Sequence, residues 1–168
     1  MLKEILAYCG EYKAGNLKIL SGREGQGFEC MLVKGERVIG KAVDYGDGAC
    51  LDLEIPVKED HQALLALCNE KYPEFAKFGG AVDSFIGNVF GYWDCIKSLK
   101  SKCKKKVLAV DPATTKRDEQ GVPVSYHVFS AEPTEANLAA IRAKYPTYTI
   151  LNDELATVEV PKVKVARR

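Results

Sequence analysis

The sequence predicts an α+β fold, and three observations carry the prediction. Between Asn16 and Pro56 apolar residues recur with period two. Between Val82 and Cys103 they recur in alternating steps of three and four, and after Lys106 short strand-like runs bracket one helical run. At 168 residues the chain fits one ordinary domain. That domain, 1–168, is expected in three consecutive parts: a β-meander over 1–56, a helical pair over 57–105 and a β-β-α-β tail over 106–168.

Leu2, Ile5, Leu6 and Cys9 mark a short amphipathic helix or an irregular cap over Leu2–Tyr12. NLKIL, GFECMLV, ERVIGKAV and ACLDLEI then read as four strands. The links between them, Gly22–Gly27, Lys34-Gly35-Glu36 and Tyr45-Gly46-Asp47-Gly48, are too short for parallel crossovers, so the meander is antiparallel. Their glycines are expected to supply positive φ in the turns. After Pro56, acidic Glu59 and Asp60 suit a helix N-terminus, and Leu64, Leu65, Leu67 and Cys68 form its stripe until Pro73. Val82, Phe85, Val89, Tyr92, Ile96, Leu99 and Cys103 form the seam of a helix of about seven turns, widened by Phe90 and Trp93 to lie across a sheet. The same seam offers a route to a homodimer through the long helix. KVLAV and PVSYHVF read as strands around a polar loop, and Pro133-Thr134-Glu135 opens a helix carrying Leu138, Ile141 and Tyr145. TYTIL is a further short strand, and VEVPKVKVARR alternates like an edge strand, the place where Pro161 is tolerated.

Composition narrows the function classes. Lysine and arginine total 24 against 23 acidic residues, a +1 balance that argues against a DNA mimic or a histone-like tail. No apolar run approaches the ~18–20 residues of a membrane helix, so no membrane partner is expected. Glu4 and Glu11 interrupt the N-terminal apolar stretch in a way a secretory signal does not tolerate. The six cysteines show no C-x-x-C spacing, and His61 and His127 stand far from any cysteine pair, so reduced structural thiols in a cytoplasmic protein are expected. There is no Walker sequence and no G-x-S-x-G, and GREGQG reads as a hairpin turn rather than a phosphate loop. Asp44, Asp47, Asp52 and Glu54 lack the spacing of a calcium loop. The sequence therefore implies no cofactor, no metal and no assembled catalytic set; His61 and His127 read as structural.

Charge is concentrated in one place. Residues 97–106, KSLKSKCKKK, hold six lysines and no acid, a quarter of the positive charge of the chain. Lysines at a helix C-terminus complement the helix dipole, which is an ordinary structural role. The functional reading is a phosphate-binding patch made of Lys97, Lys100, Lys102, Lys104, Lys105 and Lys106, with Lys97, Lys100 and Lys104 on one helical face. The absence of arginine from the run points to sequence-independent contact.

KKKVLAVDPATTK, a strand ending on an aspartate before a Thr-rich turn, resembles the first catalytic strand of RNase H-like nucleases and resolvases. That resemblance implies Asp111 as the first carboxylate of a two-metal site, with a second from Glu132 or Asp153-Glu154. The segment lacks the glycine that usually follows the turn.

FECMLVKGERVIGKAVDYGDGACLDLEIP and FAKFGGAVDSFIGNVFGYWDCIKSLKSKCKKKVLAV resemble segments of small proteins of phages and other mobile elements, over about half the chain. Lys34-Gly35-Glu36 takes the place of the first turn of that group, and Tyr45-Gly46-Asp47-Gly48-Ala49 that of the second, with Ala49 where a glycine is usual. The resemblance implies an accessory protein that binds a nucleic acid or a host nucleoprotein complex, with inhibition of host defence as one role. The expectation is thus a non-enzymatic nucleic-acid-binding protein. A divalent-metal nuclease using Asp111, and a protein–protein inhibitor that uses the meander edge, stand as alternatives.

Overall fold

The α+β expectation holds in the structure, a computed structural model that describes residues 1–164. In chain order the elements are α1 (Leu2–Cys9), β1 (Tyr12–Ser21), β2 (Gln26–Lys34), β3 (Arg37–Asp44), β4 (Asp52–Glu54), α2 (Lys58–Lys71), α3 (Pro73–Ala76) and α4 (Gly80–Cys103). They continue as β5 (Val107–Val110), β6 (His127–Phe129), α5 (Glu135–Lys144), β7 (Thr149–Ile150) and α6 (Leu151–Ala156). The chain groups into two compact units, one of residues 11–94 with the described residues from 160 on, the other of residues 1–10 and 95–159. Helix α4 contributes Gly80–Asp94 to the first and Cys95–Cys103 to the second.

In the first unit, β1-β2-β3-β4 form the expected antiparallel meander. Phe28, Cys30 and Leu32 alternate inward along β2, and a register shift at Leu32/Val33 brings Val33 inward as well. α4 lies against this sheet: the Phe85 ring meets Tyr12 edge-on at 5.7 Å, and Phe90 stacks on Phe28 at 4.3 Å. The fully buried stripe of α4 is Ala81, Phe85, Ile86, Val89, Trp93, Ile96 and Leu99, with Val82, Tyr92 and Cys103 only half-buried. The seam is thus centred on Trp93 rather than on Tyr92.

The turn glycines differ from the expectation. Gly35, Gly46 and Gly48 do have positive φ, but Gly22, Gly25 and Gly27 do not. Gly22 and Gly27 serve close approach instead. A Cβ at Gly22 would lie 2.1 Å from the Tyr45 carbonyl oxygen, and one at Gly27 would lie 2.1 Å from that of Asp44. The two turns thus lock backbone to backbone, and Glu24 N–H donates to Gly46 O at 2.9 Å. Pro73 ends α2 as expected, yet it also opens α3, where its missing N–H costs nothing at the first helical position.

The expected edge strand at the C-terminus is absent over 158–164, and 165–168 lie outside the described residues. Pro161 has no N–H to donate to a ladder. The segment is held through Asn16 instead. At a bulge in β1, Asn16 adopts φ 50; its Nδ2 donates to Val163 O at 2.7 Å and its Oδ1 accepts from Val163 N at 3.0 Å. The side-chain amide thereby imitates one rung of a strand on the β1 edge.

The second unit holds a small antiparallel sheet of order β6-β5-β7. All four residues of central β5 are buried, and Val107 and Ala109 pack with Leu138, Ile141 and Ile150. α5 starts as read, with Thr134 Oγ1 accepting from Asn137 N at 3.3 Å. β6 keeps only three residues of PVSYHVF, while Pro123 forms an isolated bridge to Arg117. α6, which packs on β5 and touches α1, was not expected. None of the six cysteines is in a disulfide; burial pushes the Cys30 and Cys68 thiols up to about 12. Among the described residues no helix is long and apolar enough to cross a membrane.

Candidate nucleic-acid interface

The lysine run straddles the end of α4 and the start of β5. The helix stops at Cys103, and Lys105 and Lys106 N–H both donate to Lys102 O, at 3.0 and 3.1 Å. Lys104 therefore lies in the turn, off the helical face it was expected to share with Lys97 and Lys100.

One side chain from α6 closes the turn. Asn152 Nδ2 donates to Cys103 O and to Lys106 O, both at 3.0 Å, while its Oδ1 accepts from Leu108 N at 2.8 Å. It satisfies an orphan carbonyl at the end of α4 and the first inward amide of β5 together. Sequence reasoning missed Asn152 because its helix was itself unexpected.

The six lysines divide by use. Lys100 is half-buried and donates to Leu155 O at 2.6 Å and to Val158 O, capping the carbonyl end of α6. It is spent inside the fold. Lys102 donates to Tyr126 Oη at 2.7 Å with its ammonium 5.4 Å from the ring centroid, and that hydrogen bond raises its pKa. Lys97 is exposed on the last turns of α4. Lys104, Lys105 and Lys106 are exposed, and among the described residues no side chain pairs with their ammonium groups. Beside them lies a shallow cavity of about 200 Å³ lined by Lys100, Cys103, Lys104, Asn152, Leu155 and Ala156.

Asp111 ends β5 as read, but it is engaged in its own turn. Its carboxylate accepts from Ala113 N at 3.0 Å and from Thr114 Oγ1 at 2.8 Å. Those bonds, the Ala113 amide first, hold its pKa below the ordinary aspartate value. Of its expected partners, Asp153 is gripped by Arg142 at 2.9 Å and Glu154 accepts from Leu2 N at 3.3 Å. Among the described residues no three His, Cys, Asp or Glu side chains converge to hold a metal. Asp44 and Asp47 cap their own turn, accepting from Gly46 N and Ala49 N. His61 is half-buried in α2, whereas His127 is exposed on β6 with its ring against Tyr148. The meander edge is covered at β1 by 161–163, leaving exposed the short β4 and a cavity of about 320 Å³ that includes Lys41, Tyr45, Asp52 and Glu54.

Comparison with protein-family models, with curated proteins and with solved structures finds no match for this chain.

Proposed function

We propose that the chain is a non-enzymatic binding protein that holds a nucleic-acid backbone, free or within a host nucleoprotein, on the turn of Lys104, Lys105 and Lys106. The observation that supports this reading is the pairing pattern. Acids take up many of the cations of this fold: Lys18 and Lys41 meet Glu29, Arg37 meets Asp60, and Arg142 meets Glu135 and Asp153. Three consecutive ammonium groups, by contrast, stand in solvent on a turn that Asn152 fixes from behind. Like charges on adjacent residues repel one another, and a polyanion relieves that repulsion by releasing its own counterions. Lys97 and Lys102 precede the turn on the last part of α4, Lys102 bound to Tyr126. With no arginine fork present, contact runs to phosphates and not to base edges. The resemblance to mobile-element accessory proteins points toward the same class of partner.

The test is fluorescence anisotropy with labelled nucleic acids at several salt concentrations, comparing the native chain with the variant K104E/K105E/K106E. The expected result is binding that weakens as salt rises and is lost in the variant while circular dichroism stays native. Undiminished affinity in a folded variant overturns the proposal.

A further inference from the structure

The lysine turn shares its unit with a column of aromatic rings that the lysines alone do not explain. Phe129 meets Tyr145 at 5.4 Å, Tyr145 stacks on Tyr148 at 4.9 Å, and Tyr148 meets His127 at 5.1 Å. The inner end of this column is anchored: Phe129, Tyr145 and Tyr148 pack against the cluster of Val107, Ala109, Leu138, Ile141 and Ile150. Its outer end is open, because His127 is exposed. A cation lies against one ring of the column, and another is bound to the residue that precedes His127. The Lys144 ammonium lies 5.4 Å from the Tyr145 ring centroid, and Lys102 is bound to Tyr126, the residue before His127.

We infer that the nucleic acid bound here is single-stranded, with an unpaired base stacking on His127 as the next ring of the column while its backbone runs toward the lysine turn. This rests on the phosphate-binding reading above and adds the substrate class to it. Exposed rings beside cations are what a single strand requires, because every base offers a π face and only an unpaired one presents it. A duplex keeps its bases stacked on one another, so it would use the lysines and leave His127 idle. Arg142, the one arginine of α5, is tied to Glu135 and Asp153, which leaves stacking rather than base-edge reading.

The experiment uses labelled oligothymidylate, oligouridylate and a DNA duplex of matched length, with the full chain and its His127→Ala variant. His127 is exposed on a three-residue strand, so the variant keeps the fold, and circular dichroism checks that. The expected result is tighter binding of both single strands than of the duplex, with a roughly tenfold loss for single strands only in His127→Ala. Equal affinity for all three probes, or a variant that loses nothing, overturns the single-strand inference and leaves the phosphate reading standing. If no probe binds even at low salt, both fall together.

Discussion

Replacing Asn152 by alanine tests whether the lysine turn is built or merely loose. The change removes three hydrogen bonds at once. Two of them, to Leu108 N and Cys103 O, are partly buried and are each worth about 1 kcal/mol net; the third, to Lys106 O, is exposed and is worth about half as much. Leu108 is fully buried, so its amide is left without a partner, which adds about 1 kcal/mol. The sum is about 3.5 kcal/mol, a large share of the 5–15 kcal/mol that holds a typical domain of about this size. With a urea slope of about 2 kcal/mol per molar, the unfolding midpoint followed by circular dichroism should fall by roughly 1.7 M. Asn152→Asp sharpens the test. It keeps the acceptor for Leu108 N but turns an oxygen toward the carbonyls of Cys103 and Lys106, so the aspartate variant should be no more stable than the alanine one. A midpoint shift below about 0.4 M in Asn152→Ala, or full stability in Asn152→Asp, would refute the argument that this side chain closes the turn.

Two further outcomes follow from the first unit. Gly27→Ala drives a Cβ to 2.1 Å from Asp44 O and should cost about 1–3 kcal/mol in urea unfolding, whereas Gly25→Ala, with open space around it, should stay within about 0.5 kcal/mol. Asp60 is gripped by Arg37 through two bonds of 2.7 Å, and that guanidinium holds its pKa below the ordinary value. A depressed carboxylate pKa contributes stability above the unfolded value of about 3.9 that disappears as the pH falls through the folded one. Asp60→Asn should therefore lower stability near neutral pH and shrink the further loss seen on acidification below about pH 4, measured as thermal midpoints across that range.

Much of the first sheet was legible because a half-buried antiparallel sheet writes its two faces into alternate residues. Where the pattern broke, a backbone irregularity broke it. β1 begins at Tyr12, four residues before the alternating run at Asn16, because the bulge between Gly15 and Lys18 resets the phase there. The α4 seam was readable, Trp93 included, but counting in threes and fours put the half-buried Tyr92 on the stripe and passed over Ile86, which is fully buried. α6 gave no signal. Its six residues, LNDELA, have no side-chain cap, and Asn152 and Asp153 are weak helix formers, so tertiary contacts with β5 hold it. Asn152 was illegible for the same reason, since its three partners lie more than forty residues away along the chain.

The lysine run shows what a charge count misses. Six ammonium groups in ten residues invite the sum of six phosphate contacts, yet position relative to α6 decides which of them are available. Lys100 faces the carbonyl end of that helix and is consumed there, and Lys102 is drawn onto Tyr126, whereas the turn beyond Cys103 projects Lys104, Lys105 and Lys106 outward. The two counts give different salt dependences. For a single strand, log affinity against log salt falls with a slope of about −0.7 per phosphate neutralised, so six contacts give about −4 and the three of the turn about −2. Lys100→Gln separates them further: if Lys100 serves only to cap α6, the variant loses stability and leaves the salt slope unchanged. A slope near −4 that Lys100→Gln reduces by about 0.7 would mean that Lys100 leaves its carbonyls on binding and that the whole run, not its turn, meets the strand.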